Sequence, residues 1–164
     1  MSRAFVKEHD GDSPGDDLPE SPVSSGPNYV TPKGLADLQA RLAAAQSVVE
    51  RLFGGDGKAG AKSALARARA DVRRLQRRLD AAVLVEVDAN ERGEVALGAR
   101  VTIEHPDGRR QTFSIVGEDE ADPLNGLASW ASPLGKALLG KRIGDSALWL
   151  RPAGDIEVKI VEVL

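Results

Sequence analysis

FGGDGKAGAKSA, residues 53–64, is the stretch whose reading decides the fold. It comes close to a phosphate-binding P-loop: Gly55, four residues, then Gly60. But Ala61 stands where the loop lysine belongs, and Lys62–Ser63 come one residue late. A P-loop also needs a β-strand before it and a helix after it, so that backbone N–H groups converge on phosphate. Here the preceding segment is helical. Thr31-Pro32 reads as a helix start, with Thr as N-cap and Pro at the first position, where its missing N–H would have no partner. Leu35, Leu38, Leu42, Ala45, Val49 and Leu52 then follow at alternating spacings of three and four, an a/d seam that stops at Phe53.

After the glycines the spacing returns through Leu65, Ala68, Val72, Leu75, Leu79 and Ala82. Two seams of equal length joined by a short glycine-rich segment bury each other by folding back antiparallel. Each arm of about 22 residues reaches roughly 33 Å. The glycines supply the positive φ values of a chain reversal, so the stretch reads as a hairpin tip, residues 54–60, and not as a nucleotide site. Asp56 is then first of all a turn-favouring residue beside glycine.

Charge is distributed unevenly along the chain. Residues 1–28 hold two bases and six acids and are rich in Pro, Gly and Ser, the composition of a disordered acidic tail. The second arm carries Lys62, Arg67, Arg69, Arg73, Arg74, Arg77 and Arg78 against Asp71 and Asp80. A solvated face ordinarily mixes signs, so this stripe suits an acidic wall or nucleic acid. No aromatic residues interleave it, which argues against base stacking.

Several classes are excluded. The chain has no cysteine, so disulfides and thiolate metal sites are ruled out. His9 and His105 lie far apart, and no catalytic constellation or metal motif is visible, so no catalytic and no metal residues are assigned. No apolar run is long enough for a membrane span and the first residues do not form a signal peptide, so a soluble cytoplasmic protein is expected; a monomer is expected as well.

From residue 83 onward the pattern changes. LGARVTIEH and RRQTFSIVGE alternate around PDG, a strand–turn–strand signal. SPLGKALLGK is a short helix with Ser132 as cap and Pro133 at its first position, and DSALWLRPAGDIEVKIVEVL is a second hairpin turning at PAG. Trp130 and Trp149, in strand-like apolar runs, read as core, and His105 as a turn residue. The fold class is α+β: an antiparallel coiled-coil hairpin over 29–84, then an antiparallel β domain with one short helix over 90–164.

SPLGKALLGKRIGD with RPAGDIEVKIVEV resembles the C-terminal signature of the GreA/GreB family of transcription elongation factors, and YVTPKGLADLQARL resembles its N-terminal opening. GARVTIEHPDGRRQTFSIVGEDEAD is similar to the intervening hairpin in pattern. The resemblance implies an FKBP-like C-terminal domain that docks on RNA polymerase, and a coiled coil inserted into the secondary channel. On that basis Asp119, Glu120, Asp122, Ser132, Pro133, Leu134 and Lys136 are expected on the docking surface, although Ser132-Pro133 is first of all a helix cap. Nucleic acid would be met through the polymerase complex.

In cleavage-competent members an acidic pair at the tip helps hold a second Mg²⁺ at the polymerase active site. GDGKAG aligns best with that motif: Asp56 stands for the first carboxylate, and Ala59 replaces the second. The arms also look roughly nine and five residues shorter than in such members, on the order of 10 Å less reach. The implied function is a non-enzymatic polymerase regulator without cleavage stimulation and without a cofactor of its own, Mg²⁺ entering only through the polymerase. The alternatives are an active cleavage factor using Asp56 and a general nucleic-acid-binding module using the basic hairpin. An isomerase role suggested by the FKBP-like fold would need a hydrophobic, aromatic-lined pocket, and none is legible in the sequence.

Overall fold

The computed structural model describes residues 26–54, 60–85 and 93–164. A short strand β1 (Asn28–Val30) leads into α1 (Pro32–Phe53). The chain returns through α2 (Ala61–Asp80) into β2 (Ala82–Leu84). The Thr31 hydroxyl accepts a bond from the Gly34 N–H, which caps α1 at the expected place. Leu38, Leu42 and Leu75 are buried between the arms, with Ala45, Val72 and Leu79 packed against them. Burying a leucine is worth about 1.5–3 kcal/mol, so these three carry much of the pairing. Burial is deepest near the base of the hairpin; Val49, Leu52 and Leu65 toward the tip are only half-buried.

One feature of the hairpin was not legible. β1 and β2 pair in parallel, Asn28 opposite Ala82 and Val30 opposite Leu84, and clamp the two arms at their base. Asn28 and Ala82 are thus strand residues. The acidic tail expected over 1–28 therefore ends sooner: Asn28 is 2% exposed and belongs to the fold. Residues 1–25 lie outside the described residues.

The second part is a five-stranded sheet in the order β5-β4-β3-β7-β6. Its strands are β3 (Arg100–Glu104), β4 (Arg110–Val116), β5 (Leu127–Ser129), β6 (Ser146–Trp149) and β7 (Ile156–Val163). β3/β4 and β6/β7 are antiparallel, as the two hairpin patterns predict, and the long-range antiparallel pair β3/β7 joins the two hairpins into one sheet. β5 departs from the expectation by pairing parallel to β4, because two 3-10 turns, Glu118–Glu120 and Pro123–Asn125, carry the chain back before it rejoins the sheet. Helix α3 (Pro133–Leu138), capped by Ser132, covers one face. Val101, Ile103, Phe113, Ile115, Val158 and Ile160 supply the core from alternate strand positions, and Leu134 and Leu138 close it from α3. A Cβ on Gly135 would lie 2.2 Å from the Ser129 carbonyl oxygen, so only glycine lets α3 settle this close to β5.

The β3–β4 turn holds Gly108 at φ 81°. The Arg109 N–H donates to the Asp107 carboxylate there and holds it below the usual carboxylate range. His105 is more than a turn residue. It is 6% exposed, with Nε2 3.3 Å from Gln111 Oε1 and its ring 6.2 Å from that of Trp149.

Candidate functional site

Three features stand out: the junction of hairpin and sheet, the basic face of α2, and a pocket beside α3.

At the junction, the turn Glu118–Glu120 faces the base of the hairpin. Arg78, near the end of α2, has a side chain only 7% exposed. Its Nε donates to Asp119 at 2.9 Å, and its Nη2 donates to Asn28 Oδ1 at 2.6 Å and to Glu118 at 3.4 Å. Asn28 Nδ2 in turn donates to Asp119 at 2.9 Å and to the Arg78 carbonyl at 3.0 Å. Breaking such a buried pair by removing one member costs about 3–5 kcal/mol, because the other charge is left without compensation.

Glu120 ties the start of α1. Its carboxylate accepts from the Thr31 N–H at 2.9 Å and from the Thr31 hydroxyl at 2.5 Å. It also accepts from the Gly117 N–H at 3.3 Å. A carboxylate at a helix N-terminus is favoured by the helix dipole as well. Tyr29 meets Trp130 edge-on at 5.4 Å beside this network.

Three expectations are corrected here. Arg78, expected on an open stripe, is buried and committed to Asp119 and Asn28. Asp119 and Glu120, expected on a docking surface, turn their carboxylates inward to the hairpin. The physical reasons lie in the partners: the guanidinium at the edge of the apolar seam and Asp119 satisfy each other, and Glu120 satisfies the N–H and hydroxyl of Thr31 at the start of α1.

The rest of the stripe remains on the outside. Arg67, Arg69, Arg73 and Arg77 are exposed, and Arg74 is half-buried with Asp71 at 3.5 Å. At 100° per residue Arg67, Arg73, Arg74 and Arg77 fan over the half of α2 that faces away from the seam, and Arg69 stands at its border. Arg69 and Arg73 line a shallow groove with Gln46, Val49 and Glu50 of α1.

The pocket, of about 590 Å³, is walled by Phe113, Pro133, Leu134, Trp149, Leu150 and Pro152. It corrects the expectation that no aromatic-lined pocket would be found. Trp149 is half-buried; it packs edge-on against Phe113 at 6.1 Å and turns its remaining surface to the pocket. The Arg151 guanidinium lies 5.3 Å from the Trp149 ring centroid, a cation–π contact at the rim.

Of the expected docking residues, Ser132, Pro133 and Leu134 come together at this pocket. Ser132 is held by its bonds to the Gly135 N–H and the Ser129 carbonyl. Lys136 is exposed on α3. Asp122 accepts from Asn125 at 2.7 Å and stabilises its own turn. Asn28, Phe113 and Arg151 were missed. An arginine beside the seam followed by an acidic triplet was the only signal for the junction, and nothing local marks the pocket. Asp56 lies outside the described residues. Among the described residues no cluster of His, Asp or Glu could hold a metal ion, and no helix is long and apolar enough to cross a membrane.

The family model described as transcription elongation factor, GreA/GreB, C-term, matches residues 89–164. Transcription elongation factor GreA of Chloroflexus aggregans is 34% identical over 156 residues, covering 86% of this chain and 99% of that protein. The chain belongs to the GreA/GreB family. The GreA of Geobacillus kaustophilus is 44% identical over 93 residues, but that match spans 56% of this chain and only 59% of the relative's length. Among solved structures, GreA factor homolog 1 of Thermus thermophilus is 30% identical over 84% of this chain and 99% of that one, with a TM-score of 0.41. The Chloroflexus match runs over 156 positions yet covers 86% of a chain of 164 residues, about 141 of them. About 15 positions of this GreA/GreB relative therefore have no counterpart here.

Proposed function

We propose that this GreA/GreB family member binds RNA polymerase through its β domain and regulates elongation by placing the helical hairpin in the secondary channel, without stimulating transcript cleavage. The observation that carries the reading is the relationship to a protein named transcription elongation factor GreA across nearly that relative's whole length. In this reading the pocket beside α3, with Ser132, Pro133 and Leu134 at its wall, receives an apolar element of the polymerase, and Lys136 stands next to it. Asp122 contributes through its turn. The outward arginines of α2, Arg67, Arg69, Arg73, Arg74 and Arg77, face the negative wall of the channel or its nucleic acid.

The absence of cleavage rests on the tip sequence. Two-metal chemistry needs carboxylates that reach the second ion, and Ala59 stands where the second one belongs, leaving Asp56 alone. The positions missing relative to Chloroflexus GreA are consistent with shorter arms. The protein is a cytoplasmic, monomeric regulator with no cofactor of its own in this reading, and it is not itself an enzyme.

Stalled elongation complexes test it. The protein should bind them and alter elongation, and no short 3′ RNA fragments should appear with Mg²⁺. Fragment release lost in Asp56→Ala would establish the cleavage-factor alternative. Salt-sensitive binding to bare DNA, with none to the polymerase, would establish the nucleic-acid module.

A further inference from the structure

We infer that Arg78 and Asn28, together with the acidic turn 118–120, form a lock that fixes the direction of the hairpin relative to the β domain, and that this direction is required for the hairpin to act once the domain is docked. The second half rests on the function proposed above; the first half does not.

Both ends of the hairpin are tied to the same turn. Asp119 and Glu118 hold Arg78 at the end of α2, and Asp119 also holds Asn28 in β1. Glu120 holds Thr31 at the start of α1. Covalently, the hairpin is followed by the β domain along the chain, so among the described residues these side-chain bonds, with the Tyr29–Trp130 contact beside them, restrain how the two parts sit. The bonds are directional and resist rotation and sliding where an apolar contact would permit both.

The backbone is shaped for the same contact. A Cβ on Gly117 would stand 2.4 Å from the Tyr29 carbonyl oxygen, and a Cβ on Gly34 would stand 2.0 Å from the Glu120 carboxyl carbon. Two glycines on opposite sides thus permit the approach. The consequence is mechanical. For an arm of roughly 33 Å, a tilt of about 10° at the base displaces the tip by about 6 Å. A regulator whose effect depends on where the tip and stripe arrive cannot tolerate that. Arg78 and Asn28 are therefore positioning residues.

The test uses the full chain, which contains no cysteine, so Gln46→Cys in α1 and Lys159→Cys in β7 accept a pair of spin labels without competition. The parent should give one narrow distance distribution. Arg78→Met and Asp119→Leu should each broaden it, while helix content by circular dichroism stays at the parent level. Polymerase affinity should change less than threefold, and the effect on elongation should fall at least tenfold. A narrow, unshifted distribution in a folded variant would overturn the lock. A broadened distribution with an undiminished effect on elongation would overturn the requirement for direction. If Arg78→Met loses helix, Asp119→Leu decides, since it leaves α2 unaltered. If the parent does not bind the polymerase, the proposed function fails, and the distance measurement still judges the lock.

Discussion

Gly34→Ala separates helix propensity from tertiary constraint, because the two predict opposite signs. Gly34 sits in the first turn of α1 and is buried. Replacing a helical glycine by alanine ordinarily stabilises by up to about 1 kcal/mol. Here the new methyl would fall 2.0 Å from the Glu120 carboxyl carbon, so that carboxylate must leave. It would abandon its bonds to the Thr31 N–H and hydroxyl, at 2.9 and 2.5 Å. Bonds to charged groups are worth about 1.5–3 kcal/mol each, and re-solvation of the half-buried carboxylate recovers part of that. After the propensity gain, a net loss of about 2 kcal/mol remains. In a protein of this size that corresponds to a melting temperature lower by roughly 4–8 °C. Thermal unfolding followed at 222 nm measures it. In a Glu120→Ala background the obstacle is gone, and Gly34→Ala should become neutral or stabilising, a double-mutant cycle with a large interaction energy. A raised melting temperature for Gly34→Ala in the parent would refute the reasoning, since it would mean that Glu120 does not occupy that space.

Leu42→Asp should place a charge in the buried seam and melt the hairpin, because an unpaired buried charge costs several kcal/mol; helix signal should fall while Trp149 fluorescence, read in a Trp130→Phe background, stays native, and joint loss of both would mean the two parts fold as one unit. Reversing Arg73, Arg74 and Arg77 to Glu should weaken polymerase binding and flatten its salt dependence with helix content kept; unchanged affinity at low salt would reduce the face to a solubilising one. Leu150→Asp, at the exposed wall of the pocket, should lower polymerase affinity at least tenfold with the melting temperature shifted by no more than a few degrees; full affinity would remove the pocket from the docking surface.

The sequence by itself determined the longer elements and their order. The a/d spacing of Leu35 to Leu52 and of Leu65 to Leu79 defined both arms, and the glycines between them defined the reversal, since these are local periodicities with a single geometric solution. Alternation around Pro106-Asp107-Gly108 likewise placed β3 and β4, and Ser132-Pro133 placed α3. What only the tertiary structure decided is which polar side chains face each other across the two parts. Arg78 looked like the last member of a basic stripe, and Asp119 and Glu120 like an exposed acidic loop, because charge patterning along a chain does not reveal that 41 residues of separation close to 2.9 Å. The pocket was hidden for the same reason: Phe113, Leu134 and Trp149 come from β4, α3 and β6, and each reads as ordinary core in its own segment. The parallel pairs β1/β2 and β4/β5 escaped because strands of three residues carry too few positions to show a period, and it is long-range packing that sets their partners.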